Sequence, residues 1–438
     1  MENARRVALR LLVKCRQNKA YSNILLDDEL KQADISPLDR RFVSALFYGV
    51  LERLITLERI VATYKNNPAD KISLEVSTIL NLGIYQLLYM DSVPESAAVN
   101  ESVELAKKNR NPAAAGFVNA VLRSFIRDGK KLPDAMNYFD ELSLKYSCPE
   151  WLVRKWINEY GEDDAVSLLS SSVGQAPTTL RVNTLKCTTP QLIDALKEDE
   201  MIGVENKYVE DCVNLVSGGA IERTQAYKNG LFHVQDIASQ ICCKALAQKE
   251  NDVVLDVCSA PGGKAFTCCE LANDKIKLYA FDLHDNRVRL IRNGAKRLGL
   301  SGITASVNNA KVFNSEMPLA DKIICDVVCS GLGVIRRKPE IKYKTPKELE
   351  ALPQIQYDIL KMSASYLKVG GELMYSTCTV SKAENEEVVQ RFLSENSNFV
   401  VEKLFENETG VLGGKFVTLI PKHFNSDGFF MTKLKRIR

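Results

Sequence analysis

Residues 253–264, VVLDVCSAPGGK, are the stretch that decides the fold class. An apolar run rich in β-branched residues ends at Asp256, and Pro261 and two glycines separate it from an apolar helical pattern. A strand that turns through glycine into a helix lets the backbone approach a ligand and aims the helix N-terminus at it. The spacing matches neither a P-loop nor a G-x-G-x-x-G dinucleotide site. The stretch therefore predicts a ligand-binding strand–turn–helix unit in an α/β domain.

Three further apolar segments have the same strand pattern and lie next to helical stretches. They are KLYAFDL at 277–283, KIICDVV at 322–328 and GELMYST at 371–377. This alternation predicts an open, mainly parallel, Rossmann-like sheet with helices on both faces. We interpret the C-terminal FFMTKL, at 429–434, as an edge strand with snorkelling charges. Ligands of such sheets bind beyond the carboxyl ends of the strands, so the residues there form the candidate site.

The residues at these strand ends indicate a nucleoside ligand. Asp282 ends the second strand, where a carboxylate can accept hydrogen bonds from ribose hydroxyls; capping of the next helix is the structural alternative. Together with the glycine turn, it indicates an adenosine-containing ligand without a triphosphate clamp. Cys329 and Cys378 follow the third and fourth strands, and a nearby cation such as Lys264 would lower a thiol pKa. Taken singly, each cysteine is more simply explained as apolar filler.

Length and composition exclude several classes of protein. The chain has 438 residues, 45% hydrophobic and 26% charged, as expected of a globular protein with two or three domains. Its apolar runs are too short to span a bilayer and its N-terminus lacks a signal-peptide pattern, so we expect a soluble, cytoplasmic protein. The sequence has no C-x-x-C pair and only 3 histidines, far apart, which argues against a metal site and against a Ser-His-Asp hydrolase.

Apolar residues recur at three- and four-residue spacing through the N-terminal part of the chain, which predicts a helical bundle with short connections. Proline breaks the pattern at these points: Ser36-Pro37, Asn67-Pro68, Val93-Pro94 and Asn111-Pro112. We divide the chain into the bundle at 1–130, a helical connector at 131–175, a small α+β subdomain at 176–235 and the Rossmann-like domain at 236–438.

The bundle carries the excess of positive charge. Over 1–130, Lys and Arg number 19 and Asp and Glu 15, whereas the rest of the chain is slightly acidic. The cations cluster in two stretches: Arg5, Arg6, Arg10, Lys14, Arg16 and Lys19, then Lys107, Lys108 and Arg110. Such patches attract phosphate backbones, but a solvated helix face explains them equally well. Both interpretations stay open on charge alone.

Four segments of the α/β domain together resemble the RNA 5-methylcytosine methyltransferases, in particular the bacterial Sun/RsmB type: DVCSAPGGK (256–264), CSGLGVIRRKPEIK (329–342), YSTCT (375–379) and DGFF (427–430). Four N-terminal stretches resemble the NusB-like RNA-binding bundle of that type: ALRLL (8–12), DRRFVSALFYGVLER (39–53), GIYQLLYMDSVPESAAVNESVELAK (83–107) and GFVNAVLRSF (116–125). LRVNT (180–184) and HVQDIASQ (233–240) match the insert and the entry to the catalytic domain. The resemblance covers essentially the whole chain. It implies a multidomain protein with an all-α NusB-like bundle, a small α+β insert and a Rossmann-like methyltransferase domain that uses S-adenosylmethionine.

The resemblance also implies a mechanism. Cytosine C5 is a poor nucleophile, so the thiolate of Cys378 first adds to C6; C5 then takes the methyl group, and loss of the C5 proton and of the thiol gives the product. Cys329 assists the release, and Asp326 holds the N3/N4 edge of the cytosine with Lys264 near it. The implied cofactor contacts are Cys258, Ser259, Ala260, Pro261, Gly262, Gly263 and Lys264 around the methionine moiety, Asp282 on the ribose, Asn309 near the adenine, and Asp326.

Two positions depart from the family pattern. Asn309 stands where an Asp is usual, and its carbonyl oxygen can still accept a hydrogen bond from the adenine amino group. Val328 stands where a proline usually precedes the release cysteine, which frees φ and restores a backbone N–H. We therefore expect an active enzyme that releases its product more slowly.

The expected partner is small-subunit (16S) ribosomal RNA, naked or in an early assembly particle, bound by a monomer without metal or membrane. We interpret Arg336, Arg337 and Lys338 as a grip on RNA phosphates. One alternative is a catalytically impaired RNA-binding factor for ribosome assembly, which Val328 and Asn309 favour. The other is a methyltransferase for another RNA or for DNA, against which the NusB-like bundle argues.

Overall fold

The computed structural model describes residues 2–18, 22–65, 71–108, 113–405 and 410–438. The chain forms two compact units, which we call the helical unit (Met1–Gln175 and Ile335–Lys344) and the α/β unit (Ala176–Val334 and Thr345–Arg438). A short segment from the second half of the sequence thus folds with the N-terminal part. Four features singled out in the sequence lie outside the described residues: Lys19, Arg110, and the breaks at Asn67-Pro68 and Asn111-Pro112.

The helical unit has the helices that the sequence predicts. They are α1 (Ala4–Asn18), α2 (Ser22–Gln32), α3 (Pro37–Thr63), α4 (Leu74–Tyr89), α5 (Glu95–Lys108), α6 (Ala114–Arg127), α7 (Tyr138–Tyr146), α8 (Glu150–Tyr160) and α9 (Glu162–Ser171). The predicted break at Ser36-Pro37 is confirmed, because Ser36 caps α3 by accepting a hydrogen bond from the Asp39 N–H and Pro37 is the first helical residue. Among the described residues, none of the helices combines the length and apolar character that crossing a bilayer requires.

The segment from Ile335 to Lys344 is anchored inside the helical unit. It contains the short 3-10 helix Pro339–Tyr343, in which Lys342 is only 1% exposed. Its ammonium group donates to the carbonyl oxygens of Glu52, at 3.2 Å, and Tyr146, at 3.1 Å. Burial lowers the pKa of Lys342, because the charged form loses its hydration.

Acidic side chains take up much of the positive charge of α1. Arg10 pairs with Glu2 and with Glu29, and Lys14 lies 2.8 Å from the same Glu29. Arg16 pairs with Glu58 of α3. These cations are therefore partly neutralised inside the unit, which weakens the case for α1 as a phosphate-binding face.

The α/β unit begins with the small sheet that the sequence predicts. Its strands are β1 (Thr178–Val182), β2 (Ile202–Glu205), β3 (Cys212–Ser217) and β4 (Phe232–Val234), with the helices α10 (Thr189–Glu198) and α11 (Gln225–Lys228). The strand order is β2-β3-β1-β4, and all neighbours are antiparallel. Leu180, Val213 and Leu196 of α10 pack together in its core.

The large sheet carries the candidate site. In chain order its part of the unit comprises α12 (Ile237–Leu246), β5 (Val253–Asp256), α13 (Gly263–Leu271), β6 (Lys277–Asp282), α14 (Asp285–Leu298), β7 (Ile303–Val307), β8 (Ala320–Asp326), α15 (Pro346–Leu349), α16 (Leu352–Ser365), β9 (Leu367–Thr377), α17 (Glu386–Glu395), β10 (Phe399–Glu402), β11 (Phe416–Leu419), α18 (Pro421–Phe424) and β12 (Phe429–Arg436). The strand order is β10-β12-β9-β8-β5-β6-β7, with β11 beside β12. Strands β5 to β9 are parallel to their neighbours, as predicted, and β10 to β12 are antiparallel additions.

The interpretation of the C-terminal strand as an edge strand is wrong. Strand β12 lies inside the sheet, between β9 and β10. Its lysines suggested an edge, but Lys433 lies 3.7 Å from Glu372 and 3.9 Å from Glu402, and Lys435 lies 3.0 Å from Glu402. Acidic residues on the two flanking strands thus neutralise these cations.

Candidate active site

The loop after β5 has the tight turn that its glycines predict. Strands β5, β6 and β7 are parallel neighbours, so their carboxyl ends share one edge of the sheet. The Gly262 N–H donates to the Ser259 carbonyl at 2.7 Å, and Gly262 has φ +110°. A Cβ at this position would lie 2.4 Å from the ring of Phe266, so glycine is required for both reasons. Helix α13 then begins at Gly263, with its N-terminus at this edge.

Asp282 lies buried at the end of β6, where the sequence places a ribose-binding carboxylate. It accepts a hydrogen bond from the His284 N–H at 3.2 Å and lies 3.3 Å from the guanidinium of Arg287. The same guanidinium donates to the carbonyl of Ala260 in the glycine loop, at 2.9 Å. Arg287 therefore connects two of the predicted cofactor contacts. Nothing in its sequence context, an exposed helix rich in arginine, had singled it out.

Asn309 follows the third of these strand ends, after β7. Its side-chain oxygen accepts a hydrogen bond from the Lys311 N–H at 3.1 Å, which fixes the orientation of the amide. The ends of three adjacent strands thus present a glycine turn, a buried carboxylate and an amide, in that order.

Asp256 ends β5 with its carboxyl group buried. Burial raises the pKa of Asp256 to about 7, and the nearby Asp326 charge acts in the same direction. An appreciable fraction of this carboxyl is therefore protonated at neutral pH.

Lys264 and Asp326 form the charged centre of the site. Lys264 Nζ lies 2.7 Å from Asp326 Oδ2, and the hydroxyl of Ser376 donates to Asp326 Oδ1 at 2.8 Å. Burial disfavours the charge on Lys264, but the Asp326 carboxylate outweighs it and raises the lysine pKa. The ammonium also lies 5.1 Å from the ring centre of Phe429, in the DGFF segment. Asp326 is therefore held as a carboxylate with both oxygens bound.

The two cysteines after the third and fourth predicted strands are in contact. Cys329 Sγ lies 3.3 Å from Cys378 Sγ, and both residues are half-buried. The hydrogen bond with Cys378, together with burial, raises the pKa of Cys329, so this thiol keeps its proton. A protonated and hydrogen-bonded partner beside Cys378 suits a nucleophile and a second thiol that act in sequence.

Backbone contacts fix the loop that carries Cys378. The Gly333 N–H donates to the Cys378 carbonyl at 3.0 Å, and the Gly428 N–H donates to the Gly333 carbonyl at 2.9 Å. A Cβ on Gly333 would lie 1.9 Å from the Gly428 oxygen, so only glycine permits this approach. The hydroxyl of Thr377 donates to the side chain of Asn385 at 2.6 Å.

Side chains fix the loop that carries Cys329. Gln356 donates to the Val328 carbonyl at 3.0 Å and to the Glu384 carboxylate at 2.9 Å. The same carboxylate accepts a hydrogen bond from the Ser330 N–H at 2.8 Å. Sequence reasoning missed Ser376, Gln356 and Glu384, because polar residues in helices and turns are common and only the fold brings these three to the strand ends.

Not every predicted residue joins this cluster. Arg336, Arg337 and Lys338 belong to the helical unit, and their proposed contact with phosphates stays a prediction. Among the described residues, no group of three or more His, Cys, Asp and Glu side chains is arranged to hold a metal ion.

Three family models match the chain. The model "16S rRNA methyltransferase RsmB/F" matches residues 243–435, the NusB family model matches residues 2–127, and the RsmF/B-like ferredoxin-like domain matches residues 148–222. The match to the first model includes the glycine loop, both cysteines and Asp326.

Curated relatives match over nearly the full length. The chain is 36% identical to the probable ribosomal RNA small subunit methyltransferase B of Bacillus subtilis, over 99% of both chains. It is 32% identical to the protein of the same name from Synechocystis, over 100% of both chains. It is 29% identical to ribosomal RNA small subunit methyltransferase B of Enterobacter, over 99% of both.

Solved structures share the fold. The structure of PH0851 matches with a TM-score of 0.83 and 23% identity, covering 100% of this chain and 99% of that one. NSun6 from Pyrococcus horikoshii, solved with SFG, matches with a TM-score of 0.60 and 22% identity, covering 66% of this chain and 98% of that one.

Proposed function

The chain belongs to the RsmB/F family of 16S rRNA methyltransferases, which use S-adenosylmethionine, and on that premise we propose that it methylates C5 of a cytosine in small-subunit ribosomal RNA. We propose further that the reaction passes through a covalent bond between Cys378 and C6 of that cytosine. The observation that carries this proposal is the contact between Cys329 and Cys378, with Sγ atoms 3.3 Å apart at the end of the strands that also carry Asp326 and Ser376. A methyltransferase acting on a nucleophilic nitrogen or oxygen needs neither thiol.

The ends of β5, β6 and β7 suit S-adenosylmethionine. The glycine loop Cys258–Lys264 can lie along the methionine moiety, the carboxylate of Asp282 can accept from the ribose hydroxyls, and the amide of Asn309 can meet the adenine edge. Arg287, which connects Asp282 to the Ala260 carbonyl, keeps the loop and the carboxylate together. The bound cofactor supplies an electrophilic methyl group.

Cys378 and Asp326 activate the cytosine. Attack of Cys378 Sγ on C6 forms the S–C6 bond and makes C5 nucleophilic, because the electron pair of the C5=C6 bond moves to C5 and the ring. Asp326 assists by holding the N3/N4 edge in its protonated form, which withdraws electrons from C6. Both Asp326 oxygens are already bound, by Lys264 and Ser376, and each keeps a second lone pair for the base.

Release restores the aromatic ring. Once C5 is methylated, its proton goes to a base, the C5–H electron pair reforms the C5=C6 bond, and Cys378 leaves as a thiolate. Cys329, whose thiol touches Cys378, is the residue we propose to assist this step. Its absence would leave the enzyme joined to methylated RNA.

The catalytically impaired RNA-binding factor is the competing function. Val328 and Asn309, which depart from the family pattern, favour it. The contacts among Lys264, Asp326 and Ser376 oppose it, since a binding protein has no need of a buried ion pair at the strand ends.

The remaining expectations belong to the same proposal. We propose a cytoplasmic monomer that acts on naked RNA or on an early assembly particle. We keep the division into a NusB-like bundle at 1–130, a connector at 131–175, an α+β subdomain at 176–235 and a catalytic domain at 236–438.

The test is methyl transfer from labelled S-adenosylmethionine to unmodified small-subunit RNA by the wild type, Cys378→Ala and Cys329→Ala. We expect label on cytosine C5 with the wild type and none with Cys378→Ala. We also expect an adduct of protein and RNA that survives denaturing electrophoresis with Cys329→Ala. A wild type that binds RNA and cofactor but transfers no methyl group would favour the binding factor, and label on another atom would exclude the cytosine-C5 reaction.

A further inference from the structure

We propose that Gln356 and Glu384 are positioning residues for Cys329, and that their grip on its backbone replaces the constraint that a proline at position 328 would supply. The proposal rests on the function proposed above, in which Cys329 assists product release. We call the two side chains with their bonds to residues 328 and 330 the 356/384 clamp.

The clamp holds the backbone on both sides of Cys329. Gln356, on α16, is 0% exposed, and its amide nitrogen lies 3.0 Å from the Val328 carbonyl oxygen. Glu384 is 2% exposed, and its Oε2 accepts from the Ser330 N–H at 2.8 Å. The two side chains bond to each other at 2.9 Å. One bond precedes the cysteine and one follows it, so the direction of its side chain is set by groups outside its own loop.

The clamp is itself fixed to the strand that carries Cys378. The hydroxyl of Tyr375, a buried residue of β9, donates to the Glu384 carbonyl at 2.7 Å. The hydroxyl of Ser330 lies 2.7 Å from that of Thr379, just after Cys378. The clamp therefore positions Cys329 relative to β9, which carries its partner thiol.

Position 328 explains why such a clamp is needed. The chain leaves β8 after Asp326, and the Val327 N–H still bonds to the Ser376 carbonyl at 3.1 Å. The next residue, Val328, has a side chain that is 54% exposed, so packing restrains it little. A proline ring would fix φ there. In this chain the bond from Gln356 to the Val328 carbonyl supplies that restraint.

A buried Gln and Glu pair can also stabilise a fold without any role in the reaction, and the two roles predict different kinetics. Loss of a purely structural pair lowers stability and reduces all steps together. Loss of a positioning pair leaves attack by Cys378 intact and slows only the step that needs Cys329. Protein would then accumulate as the covalent RNA adduct.

The experiment compares Gln356→Met and Glu384→Gln with the wild type and with Cys329→Ala, all as full-length protein on unmodified small-subunit RNA. We expect single-turnover methyl transfer within about 2-fold of the wild type. We expect steady-state turnover to fall by about 10-fold or more, since a displacement of about 1 Å can cost up to ~100-fold. The RNA adduct should accumulate, as in Cys329→Ala. Gln248→Met is the matched control, because Gln248 also donates to a main-chain carbonyl, that of Cys268, at 3.0 Å.

Rescue by proline tests the second half of the proposal. Among the described residues the Val328 N–H makes no hydrogen bond, so Val328→Pro removes no interaction there. We expect Val328→Pro to restore turnover to Gln356→Met by at least about 3-fold and to change the wild type less, which is the coupling expected of two restraints on one backbone.

Three results would overturn the proposal. Equal loss of single-turnover and steady-state rates without adduct would make the pair structural, and the isosteric Glu384→Gln decides this if Gln356→Met fails to fold. An adduct in Cys329→Ala but in neither clamp variant would overturn the clamp and leave the proposed function intact. No adduct in Cys329→Ala would overturn the two-cysteine mechanism, and the clamp with it.

Discussion

The helical unit and the α/β unit both bury charged groups, and they use them differently. In the helical unit, Arg10 and Lys14 are neutralised by Glu29 near the surface, and the one buried ammonium described above, that of Lys342, bonds to carbonyl oxygens. In the α/β unit, Lys264 and Asp326 meet at the end of two parallel strands.

The difference teaches where charge in a sequence carries function. Excess positive charge was the most visible property of the N-terminal part of the chain, yet much of its first cluster serves the fold. The α/β unit has no excess, but it concentrates Asp256, Lys264 and Asp326 at the strand ends, where a buried charge costs stability and is kept for chemistry.

The largest effect is expected from the charged pair of the α/β unit. Asp326→Asn keeps the shape of the side chain and removes its charge, so Lys264 loses its counter-ion and the cytosine loses its acceptor. We expect kcat for methyl transfer to fall by about 10²–10⁴-fold, the usual range for loss of a proton-handling group. Asp321→Asn is the control, since Asp321 starts the same strand and pairs with Lys368 at 2.8 Å. Similar losses in both variants would contradict a special role for the strand end.

Asp256 should make the stability of the α/β unit fall with pH. Its pKa is about 7 in the folded state and about 3.9 in the unfolded chain. Between these values the folded state binds more protons, so its stability is full below pH ~4 and is lost as pH rises through 7, by on the order of a few kcal/mol. Asp256→Asn should remove this slope, as seen in thermal midpoints between pH 5 and 8.

Asp321 provides the opposite sign as a control for that measurement. Burial opposes its charge, but Lys368 and the Val253 N–H outweigh this and lower the pKa of Asp321. Its contribution to stability is therefore present above the unfolded pKa and is lost as pH falls. Asp321→Asn should leave the slope between pH 5 and 7 in place. A slope that survives in Asp256→Asn would assign it to another group.

Lys342 gives the helical unit a pH dependence in the alkaline range. Burial lowers its pKa in the folded state, so between that pKa and the ordinary value of about 10.4 the unfolded chain binds more protons and stability rises with pH. Lys342→Met should flatten that rise in thermal unfolding of the helical unit. Lys31→Met, at an exposed lysine of α2, should leave it unchanged. Equal slopes in the wild type and Lys342→Met would show that the ammonium is not desolvated.

The fold and most of the site could be predicted because they depend on local patterns. Strand-to-turn transitions placed Asp282, Cys329 and Cys378 at one edge of a sheet, and the parallel register brought the two thiols together. What could not be predicted depends on contacts between distant residues. Lysines in β12 suggested an edge because Glu372 and Glu402 are invisible as partners until the strands pair. Gln356 carries no local signal at all.

The smallest effect is expected from the surface of the helical unit, and it tests whether any of its charge reaches RNA. Arg40 and Arg41, on α3, form no ion pair within the part of the chain that the structure describes, unlike Arg10. We expect Arg40→Gln/Arg41→Gln to weaken binding of small-subunit RNA a few-fold at moderate salt and to reduce the slope of log K against log [salt] by about 1, since each lost phosphate contact releases fewer counter-ions. The charge-neutral control Arg10→Gln/Glu29→Gln should bind as the wild type does. If the control weakens binding as much, then the α1 ion pairs are part of the RNA interface and the contrast between the two units disappears.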